Sequence, residues 1–452
     1  MVEGTLPDHV ISEDDGFRMS GLGYLELGAA PVQSEDPAPD QDQPLITTDI
    51  PKRRRWGQLD PIATVLSRAT VDVVVREELE TRMRRGDKLR VKFGVDPTSP
   101  ALHLGHAVVL RKLRAFQDLG HTICLVIGDF TAQIGDASDK TSMRQMLSEE
   151  EVYQNLANYK KQISKIIDES KVEWSYNADW LGPLRFKDIV GLAANFTVAQ
   201  MLERENFTNR FSAGQPIGLH EFLYPLMQGY DSVALRSDVE VGGTEQLFNL
   251  LAGRTLQRAF GQQPQSVMTV ELLLGLDGRK MSKSYGNAIS LDDPPKDMYG
   301  KVMSFPDDQI IPCFELCTDI PLEEIDAIAA ELETGTNPMV YKKRLAFEIT
   351  KLYHGAAQAQ RAQEAFEREV QRKERPVDIP DVMLDRPGEW PIADVLVLAG
   401  LTKSKSEARQ KVLEGAVYVD DVRISDPKHL LVVRNGMVIK LGRHYRRVTL
   451  PT

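Results

Sequence analysis

The stretch RVKFGVDPTSPALHLGHAVVLRKLRAFQDLGHTICLVI, residues 90–127, decides the fold. Arg90–Val95 alternates apolar and polar side chains as a strand does, and Asp96-Pro97 ends it. Residues 104–118 carry a helical pattern. Ile123–Ile127 is a continuous apolar run, the composition of a parallel strand buried on both faces. Strand, helix and strand in that order predict a doubly wound parallel sheet with helices on its faces. In such a sheet, ligands bind beyond the carboxyl ends of the strands.

Working outward, Val172–Tyr176 and Val267–Val270 read as further strands, and 148–169 as a long amphipathic segment. Upstream, Ile62, Val65, Leu66, Val73, Val74 and Leu79 read as helical core positions. These elements predict a Rossmann-like domain over 57–290. A helical domain is expected over 291–370, a charged, proline-bearing linker over 371–387, and a small α+β domain over 388–452. In the last, helices are expected near 392–399 and 404–414, with β-like pieces at 417–419, 430–433 and 437–440.

Charge is unevenly spread. The 452 residues carry a formal net charge of −11. Residues 1–50 hold eleven Asp/Glu against one basic residue, Arg18. Rich in Pro, Gly and Gln and poor in apolar residues, residues 1–56 read as a disordered acidic extension. Residues 388–452 hold eleven Lys/Arg against seven Asp/Glu, which suits a polyanionic partner. Lys403, Lys405, Arg409 and Lys411 lie on or just before a helix, and Arg443, Arg446 and Arg447 cluster near the end, so that they can track phosphates. Three cysteines make no disulfide framework, and Cys313 and Cys317 read as small apolar residues on one helix face. No apolar run approaches membrane-spanning length, and the acidic start does not fit a secretory or organelle signal, so a cytoplasmic location is expected.

Two motifs carry chemistry. His103-Leu-Gly-His106 opens the 104–118 helix, where unpaired N–H groups and the positive end of the helix dipole favour phosphate. Gly105 permits close approach of a ligand, and His103 and His106 can donate hydrogen bonds as phosphate charge develops. Lys280-Met-Ser-Lys-Ser284 follows the glycine-bearing stretch Gly275–Arg279. Mobile lysines there suit a loop that closes over a leaving pyrophosphate.

The pair, in this order and α/β context, resembles the signature of class I aminoacyl-tRNA synthetases. The intervening stretches Gly94-Val-Asp-Pro-Thr98, Gly128-Asp-Phe-Thr131, Ile134-Gly-Asp136, Tyr224-Pro-Leu-Met-Gln228-Gly-Tyr-Asp231 and Val241-Gly-Gly-Thr-Glu-Gln246 are similar to those of the tyrosyl-tRNA synthetases. The resemblance runs from about residue 60 to 452 and ends in a region similar to the ribosomal-protein-S-four-like RNA-binding domain. It implies tyrosine activation with ATP, transfer of the tyrosyl group to tRNA(Tyr) and a homodimer; Mg²⁺ is expected with ATP, and no dedicated metal cluster is visible in the sequence. It implies Asp231 as acceptor of the phenol, with Tyr224, Gln228, Asp136 and Gln246 around the ammonium and carboxylate. As an i, i+4, i+7 set, Tyr224, Gln228 and Asp231 fall on one helix face. ATP is expected against Gly94, Asp96, Gly105, Gly242, Gly243, Glu245, Met281, Ser282 and Ser284. His103, His106, Thr98, Lys280 and Lys283 are the expected stabilisers of the reacting phosphates.

Two positions depart from the family pattern. Glu245 stands where the ribose contact is usually Asp. Lys92 stands where one bacterial branch has a tyrosine that helps to bind the phenol, which leaves more of the selectivity to Asp231. Two rivals are a tryptophanyl enzyme, which needs no phenol acceptor, and a non-catalytic RNA-binding relative, which would have lost the histidines or loop lysines.

Overall fold

The computed structural model of the chain describes residues 56–97, 101–136, 148–282, 285–372, 375, 379–442 and 444–451. All of these fall in one unit spanning Asp49–Thr452. The acidic extension, except for Trp56, lies outside the described residues, as do Thr98, Lys283, Ser284, Arg443 and part of the expected linker.

Six strands build the main sheet: β1 Thr70–Val74, β2 Arg90–Val95, β3 Thr122–Ile127, β4 Val172–Tyr176, β5 Val239–Gly243 and β6 Ser266–Val270. Their order is β1-β6-β5-β2-β3-β4. The five strands β2 to β6 pair in parallel, and β1 runs antiparallel to β6 at the edge. From β2 the chain builds outward to β3 and β4, then crosses to β5 and β6 on the other side. The carboxyl ends of β2 and β5 therefore flank the topological switch point, where the crevice for a ligand opens. β3 is buried from Ile123 to Ile127, as its unbroken apolar run requires.

Two segments differ from the sequence reading. Thr70–Val74, expected to be helical, is the edge strand β1, because only Pro61–Ser67 and Arg76–Arg85 around it are helical. β5 was not expected as a strand at all. Its Val239-Glu-Val-Gly-Gly composition hides it, since glutamate and glycine are poor strand formers outside special contexts.

The Leu104–Asp118 helix follows β2 and buries Leu104, Val108, Leu113 and Phe116 in the main core. Removing the side chain of Phe116 alone from water stabilises the fold by roughly 2–3 kcal/mol. The helices Pro295–Val302, Ile310–Cys317, Leu322–Glu333 and Pro338–His354 contribute Tyr299, Phe314, Ile325 and Ile349 to this same core. Arg68 fastens them further. Its guanidinium donates to the carbonyls of Phe314 (3.1 Å), Glu315 (2.8 Å), Thr318 (2.6 Å) and Ile320 (2.8 Å) at the end of the Ile310–Cys317 helix, where the dipole favours a cation. Cys313 and Cys317 are buried on that helix as free thiols.

A second apolar core belongs to the C-terminal region and includes Leu396, Val412, Ile439 and Val448. Around it lie β7 Asp381–Met383, β8 Gly388–Pro391, β9 Val417–Val419, β10 Val422–Arg423, β11 Leu430–Val433, β12 Val438–Leu441 and β13 His444–Thr449. The helices Ile392–Leu398 and Lys405–Leu413 complete it. Residues 381–383, expected within the linker, pair with β13 in a five-stranded sheet, and Leu384 is buried in this core. The small domain thus begins before residue 388. No helix among the described residues is long and apolar enough to cross a membrane.

Candidate active site

β2 delivers Asp96 to the switch point. Its carboxylate accepts from the Tyr224 hydroxyl at 2.8 Å and from Thr131 Oγ1 at 2.8 Å. Gly128, at the end of β3, makes room for this. A Cβ there would lie 1.9 Å from Asp96 Oδ1 and 2.4 Å from Thr131 Oγ1, so only glycine fits.

The Leu219–Leu235 helix places Tyr224 and Asp231, both buried, above the sheet. Asp231 is 3% exposed. Trp180 Nε1 donates to its Oδ1 at 2.7 Å, and Asn177 Nδ2 reaches Oδ2 at 3.5 Å. Asn177 also donates to Thr131 Oγ1 at 2.9 Å, linking Asp231 to Asp96 through one chain of hydrogen bonds. Burial pushes the Asp231 carboxyl up to about 7. Burial, with the Asp96 carboxylate alongside, holds the Tyr224 phenol far above its ordinary value, so it stays a donor.

Asp136 accepts from Gln246 Nε2 at 2.6 Å and pairs with Arg204 at 3.3 Å. Gln246 is held in turn by Asn249, whose Nδ2 donates to Gln246 Oε1 at 3.0 Å. Gln228 points elsewhere: its Nε2 donates to Glu240 Oε1 at 3.1 Å, on β5. The same glutamate pairs with Lys92 Nζ at 2.9 Å, so Lys92 is engaged within the sheet.

The nucleotide side lies at the end of β5. A Cβ on Gly243 would come within 2.3 Å of Glu245 Oε2, so a larger residue here would displace the Glu245 carboxylate from its present position. Glu245 Oε1 pairs with Lys280 Nζ at 3.1 Å, while its Oε2 is buried without a hydrogen-bond partner. His103 caps the Leu104–Asp118 helix: its Nδ1 accepts from Gly105 N at 3.2 Å, and its own N–H donates to His106 Nδ1 at 3.3 Å. The two rings lie 4.0 Å apart.

The two motifs adjoin. Leu104 N donates to Ile289 O at 3.0 Å, and a Cβ on Gly105 would lie 3.9 Å from Met281 Cβ. Met281 is buried, and its N–H donates to Leu273 O at 3.0 Å. Asn287 shapes the loop, accepting from Ser282 N at 2.8 Å and donating to Asp277 Oδ1 at 2.7 Å and Lys280 O at 3.1 Å. Contacts thus tie His103, Gly105 and His106 to the Met281 loop, and Lys280 of that loop to Glu245. Others tie Asp96 to Tyr224 and, through Thr131 and Asn177, to Asp231, and Asp136 to Gln246, while Gly94, Gly242 and Gly243 lie at the ends of β2 and β5. Asn177, Trp180, Arg204 and Asn287 were missed by the sequence reading, and Thr131 was quoted within a family-like stretch but given no role. Asn177 and Trp180 follow β4, while Arg204 and Asn287 come from two other segments, and none of them carries a spacing signal.

In the C-terminal region, Lys403, Lys405 and Arg409 are exposed. Lys405 pairs with Asp394 at 2.8 Å and Lys411 with Glu414 at 2.7 Å. Arg446 is half-buried, its Nε donating to Ala399 O at 3.0 Å, so it braces the end of the Ile392–Leu398 helix. Arg447 lies in β13, paired with Asp381 of β7 and Val438 of β12.

A doubly wound sheet with a His-x-Gly-His helix start beside a Lys-Met-Ser loop at its switch point is the architecture of a class I tRNA synthetase. Residues 84–371 match the family described as tRNA synthetases class I (W and Y). Residues 371–438 match the tyrosine–tRNA ligase SYY-like C-terminal domain. A tyrosine–tRNA ligase of Thermotoga maritima is 51% identical over 381 residues, covering 84% of this chain and 94% of that one. Another, of Moorella thermoacetica, is 46% identical and covers 84% of this chain and 93% of its own length. In fold, the chain is similar to a C-terminally truncated mitochondrial tyrosyl-tRNA synthetase of Aspergillus nidulans, at a TM-score of 0.57 and 23% identity over 68% of this chain and 93% of that one. The chain belongs to the class I tRNA synthetases and, within them, to the tyrosine–tRNA ligases.

Proposed function

We propose that the crevice at the carboxyl ends of β2 and β5 performs both steps of tyrosine–tRNA ligation. The tyrosine carboxylate attacks the α-phosphorus of ATP, giving tyrosyl-adenylate and pyrophosphate. The 3′-terminal ribose hydroxyl of tRNA(Tyr) then takes the tyrosyl group and releases AMP. Neither step calls for a protein nucleophile; positioning and charge stabilisation suffice.

Asp231 accepts the phenol hydroxyl, and Trp180 and Asn177 hold its carboxylate in place. Asp136, Tyr224 and Gln246 surround the ammonium and carboxylate end, with Gln228 acting from its place beside Glu240. Glu245, whose buried Oε2 has an acceptor position to offer, takes the ribose beside Gly242 and Gly243. His103, His106 and Lys280, with Thr98 and Lys283, stabilise the phosphates as charge moves towards pyrophosphate. Mg²⁺ comes with ATP as part of that substrate.

Residues 388–452, with the strand β7 that joins them, contact tRNA through Lys403, Lys405, Arg409, Lys411, Arg443 and Arg447. Arg446 serves that surface by bracing it. The enzyme works in the cytoplasm as a homodimer. Exposed apolar side chains between residues 186 and 219 favour the dimer: Phe186 and Leu219 are each 81% exposed, and Phe211 65%.

The reading rests above all on Asp231, a buried carboxylate linked through Asn177 and Thr131 to Asp96 at the end of β2, with acceptor capacity left for a phenol hydroxyl. The test is charging of tRNA with labelled tyrosine or tryptophan. Tyrosine should be esterified to tRNA(Tyr); charging with tryptophan instead would overturn the reading.

A further inference from the structure

Lys92 and Glu240 sit opposite each other on the neighbouring strands β2 and β5, 0% and 1% exposed. The ammonium lies 2.9 Å from Glu240 Oε1 and donates to Gln228 O at 2.7 Å and Ser232 Oγ at 2.8 Å, which uses all three of its N–H bonds. Glu240 accepts from Gln228 Nε2 at 3.1 Å, from Ser232 Oγ at 3.0 Å and from Gln265 Nε2. The contacts on the Leu219–Leu235 helix thus fall at Gln228 and Ser232, within one turn of Asp231. We propose that the Lys92–Glu240 pair is a positioning pair for tyrosine: from behind the pocket it sets the seat and the charge of Asp231, and so the preference for tyrosine over phenylalanine. This rests on the reading of Asp231 as the phenol acceptor.

A buried ion pair adds little net stability compared with apolar residues of the same volume. Its field, however, acts strongly across the poorly solvated interior. Burial raises the Asp231 carboxyl; Lys92 is the charge that pulls it back down, and Glu240 pushes it up. The other groups on Asp231 are neutral: Trp180 and Asn177 from the segment after β4, and Tyr224 from its own helix, whose hydroxyl is committed to Asp96. An ionised Asp231 facing a phenylalanine ring loses a charge-assisted hydrogen bond while it stays buried. A neutral one loses less. Lys92 therefore sharpens discrimination, and Glu240 limits how far it does so.

The test is amino-acid-dependent pyrophosphate exchange by the full chain between pH 6 and 9, with tyrosine and with phenylalanine. The variants are K92M, E240Q, K92M/E240Q and D231N, with thermal melting as the check on folding. K92M should move the midpoint of the pH profile of kcat/KM for tyrosine up by about one pH unit and cut the tyrosine-to-phenylalanine ratio about tenfold. E240Q should move the midpoint down by about as much. The double variant, neutral at both positions, should lie between them, and KM for ATP should hold in all three. If K92M does not fold, E240Q decides by its downward shift, which K92M/E240Q should return to near the parent. Superimposed profiles, or shifts in one common direction, overturn the proposal. If D231N loses selectivity while the pair variants keep it, only the role of the pair fails. If D231N itself keeps selectivity, the reading of Asp231 fails.

Discussion

Asp231→Asn should impair activity and strengthen the fold at the same time. The carboxyl is raised from 3.8 to about 7, a gap of about three pH units, worth about 4 kcal/mol at about 1.4 kcal/mol per unit. The sign follows from proton counting. Between pH 4 and 7 the folded chain keeps a proton on Asp231 that the unfolded chain has lost. Stability from this group is therefore complete below about pH 4, falls as pH rises, and is gone above about pH 7. Asparagine is isosteric, can still accept from Trp180 Nε1, and does not ionise. The variant should lack this slope and exceed the parent above pH 7, by at most about 4 kcal/mol. Its kcat/KM for tyrosine should fall roughly 10- to 150-fold, the value of a hydrogen bond to a charged acceptor. Urea unfolding at pH 5, 6, 7 and 8, paired with tyrosine-dependent exchange, measures both. A stability difference that stays constant across the four pH values would refute the burial argument. Unchanged kcat/KM would refute the binding role.

Three further outcomes are expected. His106→Ala should lower the rate of adenylate formation about 100-fold while tyrosine affinity, read by equilibrium dialysis, holds, because the contact matters as phosphate charge develops. Arg210→Met should destabilise the fold by about 3–5 kcal/mol in urea titration, because it strands Glu221. Arg210 donates to both Glu221 oxygens, at 2.6 and 2.9 Å, with each side chain 2% exposed. Removing residues 379–452, which carry their own apolar core, should spare pyrophosphate exchange, lower tRNA charging sharply and flatten its salt dependence; equal charging by both proteins would remove the RNA role.

The legible parts of the fold were those whose pattern is local. β3 announced itself because all five residues from Ile123 to Ile127 are buried and apolar. The Leu104–Asp118 helix was legible from its period and its histidine cap. β1 was misread because it is a short edge strand, partly exposed, between two helices. β5 was hidden because Glu240 looks like a surface residue until Lys92 is found opposite it. The same holds at the site. Signature motifs and the Tyr224–Asp231 segment are contiguous and could be quoted from the sequence. Thr131 follows β3 and Asn177 and Trp180 follow β4, so they meet Asp96 and Asp231 only because those strands pair, a relation no spacing encodes. Lys92 drew notice as a departure from the family pattern. Only its burial against Glu240 shows where its charge goes.

The central claim is that this crevice activates tyrosine. The most direct measurement is ATP–pyrophosphate exchange by the purified chain without tRNA, with tyrosine, phenylalanine or tryptophan as the sole amino acid. The account predicts exchange that requires tyrosine and falls to background with the other two. Exchange driven by tryptophan, or none with tyrosine, would contradict it.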